Sequence, residues 1–156
     1  MQQLILLISL LKNTFSLNLA RAKCAAGIII GFIKTRTVNL TELATALPGE
    51  AKLESRYKRL QRFFKEVKFD FTLVARFIVN QLPDGPLKLT IDRTNWKIGA
   101  IDINIFYLGA VYQGVAFPIL WTLLPKKDNF NTKERIVLIN RFIAIFGVDK
   151  IDGSAP

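Results

Sequence analysis

The sequence predicts an α+β protein, an N-terminal helical bundle followed by a unit of strands and a closing helix, and three observations carry that expectation. Apolar residues over the first 84 positions recur mostly at helical spacing, whereas those from residue 85 onward begin in strict alternation. The two patterns meet at Pro83-Asp84-Gly85-Pro86, the densest turn signal in the chain, which divides it into regions 1–84 and 85–156. Charge divides along the same line: residues 1–84 hold 13 Lys/Arg against 6 Asp/Glu, net +7, and residues 85–156 hold 9 against 6, net +3. With 51% of 156 residues hydrophobic, a packed core is expected and disorder is not.

The helical region opens with the apolar run Leu4 to Leu11, and a second run extends from Cys24 to Ile33, bracketed by Lys23 and Lys34. Eight and ten residues fall far short of the roughly 20 that span a hydrocarbon core, so both read as buried helices. No basic residue precedes the first run and no small-x-small site closely follows it, so a signal peptide is not expected and a cytoplasmic, membrane-free protein is. Val38 to Leu47 reads as a short helix capped by Asn39 or Thr41 and ended by Pro48-Gly49. The next helix is placed at Leu53 to Glu66. At 100° per residue Leu53, Tyr57, Leu60 and Phe64 fall within about 60° of arc, while Lys58, Arg59, Arg62 and Lys65 lie on the far side. A short helix, a turn and a basic amphipathic helix is the order of a helix-turn-helix, and it is equally the order of a surface helix whose charges are merely solvated. A further helix from Phe71 to Gln81, with Phe71, Val74, Phe77 and Ile78 on one side, is expected to complete the bundle.

In the second region Leu87, Leu89 and Ile91 alternate with Lys88, Thr90 and Asp92, so Asp92 is expected to end a strand with its carboxylate projecting from the sheet. Arg93 to Gly99 reads as a loop. Ile103 to Tyr112 and Val115 to Leu124 read as strands joined by the two-residue hairpin Gln113-Gly114. Pro118 assigns the latter strand to the edge of the sheet, because proline cannot donate to a ladder. After a polar loop from Pro125 to Phe130, Asn131 and Glu134 mark a helix start, Arg135 to Phe146 its body and Gly147 its stop.

The chemistry open to these residues is narrow. The chain has no histidine, which excludes Ser/His/Asp and Cys/His nucleophiles and every His-ligated metal, and the single Cys24 excludes disulfides within the chain and thiolate zinc sites. Carboxylates, lysines, tyrosines and hydroxyls remain. Lys and Arg outnumber Asp and Glu by 22 to 12, a net +10, and an excess of that size points to a polyanionic partner, nucleic acid first and an anionic membrane surface second.

Three antiparallel strands and a helix, with a carboxylate on the first strand, form the opening half of a ribonuclease H-like fold. The segment Leu89-Thr90-Ile91-Asp92-Arg93-Thr94-Asn95-Trp96-Lys97-Ile98-Gly99 resembles the first acidic motif of bacterial insertion-sequence transposases of the DDE type, the IS-four group in particular. The upstream run from Ser55 to Phe64 resembles the segment that precedes their catalytic core, and the likeness extends over about residues 36–150. It implies a metal-dependent DNA strand-transfer enzyme in which three carboxylates bind two Mg²⁺ ions, an oxygen-only site that needs no histidine. On that resemblance Asp92 is the first catalytic and metal-binding carboxylate. Arg56, Lys58, Arg59, Arg62 and Lys65 are the DNA contacts of the helical region, with Lys97, Lys126 and Lys127 near the would-be active site. The family's second Asp lies on a fourth strand after the helix and its Glu on a later helix. Here Asp149 and Asp152 sit only at the approach to that strand, and no Glu follows Glu134. The expectation is therefore a truncated transposase that holds Mg²⁺ poorly and does not catalyse transposition alone, retaining affinity for the terminal repeats of its element. The alternative is a non-catalytic DNA-binding or inhibitory module acting on a full-length transposase. An unpaired first strand and uncovered Phe142, Ile145 and Phe146 would favour self-association.

Overall fold

The computed structural model describes residues 2–98, 100–124 and 132–153. It is α+β: five helices, a three-stranded antiparallel sheet and a sixth helix among the described residues. The chain forms two compact units, Met1–Leu73 and Val74–Pro156. The boundary thus falls eleven residues before the Pro83 to Pro86 turn on which the sequence divides, because Ala75 and Val79 are buried in the core of the second unit.

The first unit holds α1 (Gln2–Thr14), α2 (Leu19–Thr35), α3 (Leu40–Ala46) and α4 (Leu53–Glu66). The Asn18 side chain caps α2 by accepting the Arg21 N–H at 2.9 Å, and Asn39 caps α3 through the Thr41 N–H at 2.9 Å. Apart from Ile28, the buried residues of α2 are small: Ala22, Cys24, Ala25, Ala26, Gly27 and Gly31. A Cβ on Gly27 would come within 2.8 Å of Leu47, and one on Gly31 within 3.2 Å of Leu43, so these glycines let α3 and its exit approach α2 closely. Leu43, Leu47, Leu60 and Phe63 complete this core with Leu11 and Leu17. The buried side of α4 is centred on Leu60 and Phe63, whereas Leu53 and Phe64 are half exposed. The packed arc is thus turned toward Phe63 from the one expected, because Phe63 meets Phe69 and the core while Phe64 stacks edge-on to it from outside.

The α5 helix (Phe71–Val79) begins where the Asp70 carboxylate accepts the Thr72 N–H at 2.8 Å. It does not complete the bundle as expected: Phe71 is exposed, and Ala75 and Val79 pack in the second core. The sheet follows as a meander of β1 (Lys88–Ile98), β2 (Ile101–Tyr112) and β3 (Val115–Leu124), in that spatial order. Here the structure corrects the sequence reading. Arg93 to Ile98 is strand and not loop, paired residue by residue with Ile101 to Phe106, so Asp92 sits in mid-strand opposite Tyr107. Gln113 and Gly114 both have positive φ, as a two-residue hairpin of matching twist requires. β3 is an edge strand, as β1 is on the other side, and its Pro118 lies at a register shift opposite Gly109. One sheet face, with Phe106, Leu108, Ala110 and Leu120, is buried with Leu138 and Phe142 of α6 (Thr132–Phe146). Phe142 is fully buried, and Ile145 and Phe146 are partly buried against the same core, so this face of the helix has its cover.

Gly147, with φ of +85°, ends α6, and a 3-10 turn at Val148–Lys150 brings the chain back beside β1. There Leu87 and Ile151 form a parallel bridge: the Leu87 N–H donates to Lys150 O at 2.8 Å and the Asp152 N–H to Leu87 O at 2.9 Å. No helix among the described residues is long and apolar enough to cross a membrane.

Candidate nucleic-acid interface and carboxylate site

The α4 helix gathers cations because its basic residues recur every three or four positions, which brings them onto one side. Lys58, Arg59, Arg62 and Lys65 are all exposed. Lys58 is held by Glu54 one turn earlier, at 2.7 Å, and the solvent around both side chains makes this pair weak. Lys58, Arg62 and Lys65 line a surface depression of about 510 Å³ together with Gln61. These four are the α4 cations expected as DNA contacts, and the structure places them exposed on the helix.

Arg56 is different. Its guanidinium turns back to donate to Leu47 O at 3.0 Å and to Gly49 O, and its Nε is buried. It ties the start of α4 to the end of α3 and is spent on that turn, a use that charge periodicity gives no sign of.

The sequence reading also missed Arg21 and Lys23, the latter taken only as the flank of an apolar run. They stand at the start of α2 and line a groove of about 450 Å³ with Arg59 and Arg62 of α4. Arg21 reaches Glu66 at 3.8 Å. The signal was present in their charge, but about 30 residues separate them from the start of α4 in sequence, and only the packing of α2 on α4 brings them together.

In the second unit Asp92 projects from the sheet face opposite α6. Directly opposed residues of an antiparallel pair share a face, so Asp92 stands with Tyr107, and beyond Tyr107 with Trp121. Its Oδ1 accepts the Arg93 N–H at 2.7 Å, and the Tyr107 hydroxyl donates to Oδ2 at 3.5 Å, a long contact. Desolvation first, and then the charge and hydrogen bond of Asp92, raise the Tyr107 phenol above its ordinary value. Trp96 and Leu123 are exposed, so this sheet face is aromatic and apolar around one carboxylate.

Lys97 does not join Asp92. Five positions along one strand, it lies on the opposite face and roughly 17 Å away at the usual rise per residue. Lys126 and Lys127 lie outside the described residues. Asp152 is placed beside β1 near Lys88, about 13 Å along the strand from Asp92 by the same rise, and Asp149 is exposed in the 3-10 turn. Two-metal sites hold their ions about 4 Å apart through several shared oxygens. Among the described residues no three or more Asp, Glu or Cys side chains gather as such a site needs, so Asp92 by itself does not fit a two-Mg²⁺ centre. Comparison with family models, curated proteins and solved structures finds no match for the chain.

Proposed function

We propose that this chain is a DNA-binding protein of the transposase kind. In this reading the basic face of α4 holds duplex DNA, and β1 carries the first carboxylate, Asp92, of a ribonuclease H-like strand-transfer unit. The observation that carries the reading is the return of the chain beside β1. A three-stranded meander, a helix and then a segment parallel to the first strand is the strand order of that fold, and the Leu87–Ile151 bridge supplies its parallel step. The +10 charge and the cations of α4 supply the affinity for a polyanion.

Anisotropy of a labelled DNA duplex tests the binding half. With about five phosphates neutralised, affinity should fall roughly 10²- to 10³-fold between about 50 and 200 mM salt. A flat dependence would remove DNA from the reading. Hydrogen exchange tests the fold half: the Leu87 and Asp152 amides should be protected like those of the sheet, and exchange at the rate of a free loop would remove its support.

That no other carboxylates gather with Asp92 among the described residues favours a second reading, a non-catalytic module that occupies DNA ends or a full-length transposase and inhibits it. Coexpression with an active transposase of the same kind separates the two. A fall in transposition supports inhibition, and an unchanged frequency argues against it.

A further inference from the structure

Arg62 lines two cationic surfaces of the helical unit at once. On one side it joins Lys58 and Lys65 along the outer face of α4. On the other it joins Arg59, Arg21 and Lys23 in the groove that α4 forms with the start of α2. We propose that this groove is a second site for a DNA backbone phosphate, continuous through Arg62 with the face of α4, so that one strand of the duplex is tracked from α4 onto α2. The proposal rests on the DNA-binding reading above and adds to it where the backbone runs.

Electrostatics favours an anion here. Four cations from two helices share one groove with a single carboxylate, Glu66. Glu66 meets Arg21 at 3.8 Å, and both side chains are about half exposed, so the internal pair compensates little of the field. A phosphodiester presents oxygens that planar guanidinium groups grip in pairs, which a solvated carboxylate at that distance does not match. The groove also includes Asn18 and Ala20 at the first turn of a 17-residue helix, whose dipole adds positive potential at that end. Cys24 adds no second negative charge to the wall, because burial pushes its thiol above its ordinary value even though Arg59 draws it down.

The test uses the full chain and a labelled duplex, followed by anisotropy over a range of salt. Arg21→Gln combined with Lys23→Gln should lower the salt slope by about two and weaken binding of all duplex sequences alike. Glu66→Gln should act in the opposite sense and tighten binding about two- to fivefold, the scale of one exposed charge. Lys58→Gln with Lys65→Gln is the reference for the face of α4. If the groove variants keep the affinity and slope of the parent while the α4 variant weakens binding, the groove holds no phosphate and the DNA-binding reading stands. If the parent chain does not bind DNA, the reading falls and takes the groove with it. Should the double variant lose its helical circular dichroism, Glu66→Gln still decides: no gain in affinity overturns the proposal.

Discussion

α4 and β1 carry the two candidate sites, and they distribute charge with different periods. Residues three and four apart on a helix share a side, so Lys58, Arg62 and Lys65 of α4 gather within one field. Neighbours on a strand point to opposite faces, so Asp92 and Lys97, five positions apart, end on different sides of the sheet. A helix builds an electrostatic site from its own sequence. A strand supplies one group and depends on other segments for the rest, as Asp92 depends on Tyr107 for its side-chain partner.

The comparison can be broken most forcefully from beneath the strand. Phe106 is fully buried in β2 opposite Arg93, and Phe106→Ala should destabilise the sheet by about 3–5 kcal/mol, read from the denaturant midpoint. A loss below about 1 kcal/mol would mean that this core does not support the strand bearing Asp92. On the helical side Arg56→Ala should remove about 1.5–3 kcal/mol by freeing the Leu47 and Gly49 carbonyls, yet leave the salt slope of DNA binding unchanged. A reduced slope would return Arg56 to the set of phosphate contacts. Gly109→Ala should cost about 1–3 kcal/mol, because its Cβ would lie 2.9 Å from the Phe117 carbonyl oxygen, a backbone atom that cannot swing aside. Thermal melting without a shift would show that β3 can move away from β2 at the register shift.

The smallest effect concerns Tyr107. Its phenol is raised above the ordinary 10.0, so any stability from the neutral form is present below that pH and lost as pH rises through the raised value. Asp92→Asn should bring the titration partly back, since desolvation, the larger cause, remains. Phenolate absorbance measures this directly, and an unmoved titration would separate the two side chains.

Much of this architecture was legible from periodicity. The bounds of α4 coincide with the expected Leu53 to Glu66, because a strongly amphipathic segment defines its own ends. The hairpin at Gln113-Gly114 and the edge position of β3 followed from turn and proline chemistry. What was not legible depended on partners remote in sequence. Arg93 to Ile98 lacks an apolar alternation and is strand because Ile101 to Phe106 offers it a ladder. Phe63 and Phe64 are chemically identical neighbours, and only the position of Phe69 and the core decides which is buried. Arg21 and Lys23 meet Arg59 and Arg62 only through the packing of α2 on α4. Of the candidate site, the residue types were readable and their grouping was not.

The two borders of the sheet are unequal. Along β3, Pro118 lacks an N–H and sits at a register shift, which spoils that border as a template. Along β1 the described contacts on the outer side are confined to the Leu87–Ile151 bridge, and eleven residues from Lys88 to Ile98 follow it. The two borders thus differ like the ends of a zipper: at β1 a parallel segment has already closed the first pair, whereas at β3 a proline breaks the run of donors.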